Sequence, residues 1–192
     1  KQKNPPLSYA FQRWWLTRMQ KRKVTINGTW ANLPNHCLPF ENPCLEEEDI
    51  KRGEQSTQNK SYEPPLTLCF VGRIEAAKGV MRILKALANH PHPAWFKVLH
   101  MIGEGPERSK FERMAKKIPI SIIFHGSLNR QQVFEIYQQS HMLLLPSDSE
   151  GFPKVIAEAA NFGCIPVVSD ISSISQYISE NMGYLWQPKK EA

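Results

Sequence analysis

From Leu66 onward the chain repeats one pattern: a short apolar run without in/out alternation, then an amphipathic stretch. The first run is Leu66-Thr67-Leu68-Cys69-Phe70-Val71, and Val80, Ile83, Leu84 and Leu87 follow at i, i+3, i+4 and i+7, the spacing of one helix face. The pattern continues as a strand at 96–102, a helix at 106–117 and a strand at 120–124. It then gives a helix at 129–139 with Asn129 as N-cap, a strand at 142–145 and a helix at 152–162 ended by Gly163. A strand at 166–168, a short helix at 172–178 and a last strand at 183–185 complete it. Strands lacking a polar face must be covered on both sides, so the expected fold is α/β, a parallel sheet with helices on both faces. In such a sheet ligands sit at the carboxyl ends of the strands. That edge is formed by the loops 72–78, 103–106, 125–128 and 146–152.

Charge and cysteine usage narrow the class. The net charge is +6 over 192 residues. Lys1, Lys3, Arg13, Arg18, Lys21, Arg22 and Lys23 account for all of it; the rest of the chain holds one more acid than base. The main body therefore has no nucleic-acid footprint, and none is expected as a partner. No apolar run is longer than that of Met142-Leu143-Leu144-Leu145, far below the about 18–20 residues of a membrane span. Cys37, Cys44, Cys69 and Cys164 show no zinc spacing, and a reduced, cytoplasmic setting is expected. With no initiator Met and no signal-peptide pattern, the chain reads as a piece of something longer.

The loop at 146–158 carries the most chemistry. Glu150-Gly151-Phe152-Pro153 opens a helix whose unpaired N–H groups and positive end suit an anion, with Pro153 in the first turn. Glu158 lies about two turns further up, on roughly the same face. Carboxylates accept from hydroxyls and repel phosphate, so this layout predicts a phosphate flanked by polyols, as in a nucleotide-sugar. The plainer alternative makes Glu150 a helix-end charge and Glu158 a solvated residue. Arg73 can fork onto phosphate oxygens and Lys78 can supply a point charge, unless both are simply solvated. Gly103-Glu104-Gly105-Pro106 is a tight turn able to admit a base. The six histidines are scattered; His100 and His125, at strand ends, read as structural. No metal cluster and no Ser-His-Asp elbow is present in the pattern.

In order along the chain, Gly72-Arg73 with Lys78-Gly79, Gly103-Glu104-Gly105-Pro106, Phe124-His125-Gly126, Pro146 to Pro153 with Glu158-Ala159, and Gly163 to Val168 resemble the carboxyl-terminal donor-binding domain of family 4 glycosyltransferases. These are retaining, metal-independent enzymes of GT-B fold with Rossmann-like halves. The resemblance covers roughly 66–186. It implies that Arg73 and Lys78 hold the donor diphosphate, that Glu150 binds donor-sugar hydroxyls and that Glu158 accepts from the ribose. Gly72, the amides of Gly151 and Phe152, and Pro153 would line the donor. The loops at Gly103, Glu104, His125 and Gly126 would border the base. It implies no cofactor beyond the donor itself, a glycan or lipid-linked acceptor, and a role in polysaccharide biosynthesis.

Residues 1–50 are then expected to be a remnant of the acceptor domain, with a strand at 24–26 and a crossover loop at 33–43. A short acidic helix is expected after Pro43 through Glu46-Glu47-Glu48-Asp49. Residues 51–65 would be a linker, and 66–192 a donor-binding domain lacking its last helices. Turnover by this stretch alone is not expected. Phe11, Trp14, Trp15 and Met19 lie on a helix that either packs on a missing domain, touches a membrane surface peripherally, or meets nucleic acid. Two other functions stay open: a non-catalytic nucleotide-sugar binding module, and a nucleotide-sugar epimerase of the same fold.

Overall fold

A computed structural model describes residues 7–26, 28, 33–40, 44–151, 153–171, 173–179 and 181–187. The chain forms two compact units, 1–43 and 44–192.

In the first unit, α1 (Leu7–Trp14) runs on into a π-helical turn at Trp15–Met19, closed by Gln20 N donating to Trp15 O. Leu7, Phe11, Trp14, Trp15 and Met19 are all exposed, Leu7 by 89%. The chain then forms β1 (Val24–Ile26) and β2 (Cys37–Pro39), which pair in parallel, Val24 opposite Cys37. The expected crossover loop at 33–43 thus contains a strand, too short for periodicity to reveal.

The second unit opens with α2 (Glu47–Gln58), where a linker from residue 51 was expected. This helix has no apolar stripe; its one large aliphatic residue, Ile50, faces solvent. A capping box starts it, Asp49 accepting from Glu46 N at 3.0 Å. Polar contacts dock it: Asn161 donates to Asp49 O at 2.8 Å, Arg130 pairs with the Asp49 carboxylate at 2.7 Å, and Arg52 donates to Gln131. Gly53 is buried against Asn161. Hydrophobic patterning cannot see such a helix.

From there the expected order appears. It runs β3 (Leu66–Val71), α3 (Val80–Ala88), β4 (Phe96–Ile102), α4 (Arg108–Ala115), β5 (Ser121–Gly126), α5 (Arg130–Gln139), β6 (Met142–Leu145), α6 (Lys154–Asn161), β7 (Ile165–Ser169) and β8 (Tyr184–Trp186). All six strands pair in parallel in the order β5-β4-β3-β6-β7-β8. Right-handed crossovers run outward from β3 in one direction and from β6 in the other, which puts α3 and α4 on one face and α5 and α6 on the opposite one. Contacts follow this division: α3 meets α4, while α2, α5 and α6 meet one another.

Central β3 is buried on both faces, Cys69 and Phe70 completely. Val80, Ile83, Leu84 and Leu87, the four expected residues, carry α3 into the core. Phe111, Phe134, Tyr137 and Phe162 fill the space between layers, each fully buried apolar side chain worth about 1.5–3 kcal/mol. Asn129 caps α5 as expected, its side chain accepting from Gln132 N at 3.0 Å. The expected helix at 172–178 is only a 3-10 turn at Ile174–Gln176. Lys60, after α2, donates from Nζ to the carbonyls of Tyr137 (3.0 Å), Ser140 (2.6 Å) and Phe162 (2.6 Å). It thereby satisfies carbonyls at the ends of both α5 and α6.

Candidate functional site

The strand order reverses between β3 and β6, and a crevice opens at such a switch point, outside the carboxyl ends of the strands. The loops after β3 and β6 flank it, and they carry Arg73 with Lys78 and Glu150 respectively.

Main-chain contacts lock these loops together. Gly72 N donates to Ile102 O, Ile74 N to Glu104 O at 2.9 Å, and Gly103 N to Gly126 O at 2.8 Å. Gly103 has φ +129°, and a Cβ there would fall 2.0 Å from Gly72 O, so only glycine lets β3 and β4 end side by side. Gly79 has φ +81°, and its Cβ would lie 2.1 Å from Pro146 O. It therefore admits the β6 loop against the 3-10 turn Ala76–Lys78. Asp148 N donates to Ala77 O at 2.8 Å, closing the same contact.

On that scaffold Lys78 Nζ lies 2.9 Å from both oxygens of Glu150. The Glu150 side chain is 9% exposed and that of Lys78 25%. Gly151 follows; among the described residues other than its chain neighbours, no atom lies within 4 Å of a Cβ added there. α6 starts at Lys154, later than expected, with Pro153 at its N-cap (φ −78°, ψ 97°) instead of inside the first turn. The N–H groups of Lys154 and Val155 open the helix and have no acceptor within it. Phe152 lies outside the described residues.

The other expected residues are less convergent. Arg73 shares the loop with Lys78, but its side chain is 69% exposed and pairs with Glu75. Glu158 is half-buried among other groups than Glu150. Burial lifts its carboxyl above the usual range; Arg130 and Lys154 oppose this and Asp49 adds to it. Glu104 pairs with Arg108, which also donates to Glu112 and to Phe124 O. The Glu104 carboxylate so lies over Gly126. The His125 ring is engaged with His100, Nε2 lying 2.8 Å from His100 Nδ1. Burial lowers the basicity of both imidazoles, and for His100 the neighbouring ring adds to it.

A groove of about 560 Å³ lies elsewhere, lined by Thr67, Lys97, His100, Ser121, Ile123 and His141 among others. Thr67, Lys97, Ser121 and His141 sit at or just before the amino ends of β3 to β6, so the groove lies mainly away from the switch point and is not the candidate site. Among the described residues no group of three or more His, Cys, Asp or Glu is placed to hold a metal ion. Sequence reasoning missed Arg82, which donates to Pro146 O at 2.9 Å and pairs with Asp148. No sequence signal marked it, since its partners lie 64 and 66 positions further along the chain and meet it only in the assembled sheet.

A doubly wound parallel sheet with charged loops at its switch point defines the structural class of the chain. The comparison with known sequences gives the family: residues 51–192 match the model of glycosyl transferases group 1, and the chain belongs to that family. It is 25% identical over 144 residues to the phosphatidylinositol N-acetylglucosaminyltransferase gpi3 subunit of Schizosaccharomyces pombe, covering 71% of this chain and 30% of the relative. Among solved structures, the lipopolysaccharide outer core galactosyltransferase WaaB superposes with a TM-score of 0.59 at 27% identity, over 67% of this chain and 37% of WaaB. WaaG, a glycosyltransferase involved in lipopolysaccharide biosynthesis, gives 0.69 at 21% identity over 94% of this chain and 53% of its own, a likeness of fold. The fold is that of GT-B glycosyltransferases. The chain spans about a third of the length of the first of these relatives.

Proposed function

We propose that this chain is the donor-binding half of a retaining, family 4 glycosyltransferase that takes a nucleotide-diphosphate sugar. The observation that carries the reading is the meeting of Lys78 with Glu150 beside the open backbone of Gly151, at the switch point of the sheet. In this reading Lys78 and Arg73 neutralise the diphosphate and the charge that grows on it as the glycosidic bond breaks. The first amides of α6 add donors, and these groups carry the charge without a divalent ion. Glu150 is freed toward the hydroxyls of the donor sugar, and Glu158 accepts from the ribose. Gly72, Gly103, Glu104 and the His125-Gly126 backbone border the nucleotide. The sugar passes to a glycan or lipid-linked acceptor, in line with the lipid and lipopolysaccharide acceptors named for gpi3 and WaaB.

The first unit extends the reading. The exposed apolar residues of α1 and its π-helical turn, followed by Lys21, Arg22 and Lys23, suit peripheral contact with an anionic membrane surface on the cytoplasmic side.

Titration calorimetry with UDP, GDP and ADP tests the site. At least one should bind the wild type and bind the Arg73→Ala/Lys78→Ala double variant about 100-fold more weakly. Equal affinity in the two proteins refutes the phosphate assignment.

A further inference from the structure

α3 buries Val80, Ile83, Leu84 and Leu87 in the core, and Arg82 projects from its flank toward the β6 loop. Three contacts converge on that one guanidinium. Nη1 donates to the carbonyl of Pro146 at 2.9 Å, Nη2 pairs with the carboxylate of Asp148, and Cζ sits 5.5 Å from the ring centroid of Trp186 in β8. A planar, permanently charged fork is suited to holding a carbonyl and a carboxylate at once while its face rests on an indole. The two oxygens it grips belong to the opening residues of the loop that delivers Glu150.

We infer that Arg82 is a positioning residue: it clamps residues 146–148 so that Glu150 reaches Lys78 and the turn into α6 stays open at Gly151. The functional part rests on the donor-site reading above, whereas the mechanical part does not. Arg82 lies on α3 behind the Lys78–Glu150 pair, and its action is through the loop.

Arg82→Met keeps the apolar stem and removes the polar contacts. Hydrogen exchange of peptides spanning 146–151 should then accelerate about tenfold or more, since charge-assisted bonds of this kind hold a loop closed by at least that factor. Peptides from β3 and β4 should exchange as in the wild type. Arg82→Lys restores the charge beside Asp148 without the fork and should give an intermediate rate. Calorimetry on the same proteins should show about tenfold weaker nucleotide binding by Arg82→Met at an unchanged melting temperature. Unaltered exchange in 146–151 overturns the inference. Equal acceleration in the core peptides overturns it too, because Arg82 would then only stabilise the fold. If the wild type binds none of the three nucleotides while exchange still rises in the loop alone, the donor-site reading fails and the clamp stands.

Discussion

Lys78 and Glu150, 72 positions apart in the chain, share one ion pair in which a single ammonium group faces both carboxylate oxygens at 2.9 Å. Each neutralises a charge that the other would otherwise leave poorly solvated. Lys78→Met strands a carboxylate that is mostly out of water and should cost about 2–3 kcal/mol of stability, read in thermal or urea unfolding. Adding Glu150→Gln to that variant should restore most of the loss, because the remaining amide needs no counter-charge. A Lys78→Met protein as stable as the wild type would contradict the pairing.

Acidification should loosen the fold through its imidazoles. His100, His125 and His141 all titrate below their ordinary 6.5, chiefly because burial disfavours the charged ring. The unfolded chain therefore binds more protons than the folded one between the lowered values and 6.5. Stability is complete above 6.5, falls as the pH drops through it, and levels off below the folded-state values. Glu158 acts with the opposite sign: its raised carboxyl keeps a proton in the folded state from the ordinary 4.5 upward, so acid favours the fold there. A His100→Asn/His125→Asn variant should show a flatter loss of melting temperature from about pH 7 to about pH 5 than the wild type, His141 supplying the remaining slope. Parallel curves would exclude this pair as the source.

Gly53 is where α2 rests on α6. A Cβ there would lie 2.3 Å from both the carbonyl oxygen and the side-chain amide of Asn161, with no room behind a main-chain atom. Gly53→Ala should destabilise the second unit by about 1–3 kcal/mol, the usual cost of overpacking, despite alanine's better helix propensity. A neutral or stabilising effect in chemical denaturation would show that α2 is not seated on α6.

The basic, apolar-faced amino-terminal segment should bind vesicles containing phosphatidylglycerol and ignore pure phosphatidylcholine. Replacing Lys21, Arg22 and Lys23 by Gln removes roughly 1 kcal/mol of attraction each, so vesicle co-sedimentation should fall more than 100-fold. Equal binding to neutral vesicles would rule out the electrostatic part of this contact.

What the sequence made readable divides along physical lines. α3 was legible because its core contacts are four aliphatic residues at helical spacing. The sheet was legible because strands buried on both faces leave continuous apolar runs, as Leu68 to Phe70 do. α2 was expected only as a short acidic helix through Glu46 to Asp49; its run on to Gln58 escaped notice because its docking goes through Asp49, Gly53 and hydrogen bonds to Asn161 and Arg130, none of which has a periodic signature. At the site, Lys78 and Glu150 were both singled out, each by its own loop. Their direct contact depends on β6 lying next to β3, which only the assembled sheet determines. Pro153 was placed two positions too deep, because α6 begins at Lys154 and not at residue 152, and proline fixes only a helix start, not its exact first residue. The rings of His100 and His125, 25 positions apart on the neighbouring strands β4 and β5, met for the same reason that Lys78 met Glu150.

The lysine that follows α2 has a practical consequence for anyone dissecting this molecule. An expression boundary set at Leu66, where the repeating pattern begins, would cut away Lys60 and leave the carbonyls of Tyr137, Ser140 and Phe162 without the ammonium that now serves all three. It would also strip Asp49, the partner of Arg130 at the head of α5. A recombinant fragment meant to stand alone should keep everything from Cys44 onward, and any fusion should be spliced upstream of that residue, whose carbonyl Arg130 also holds.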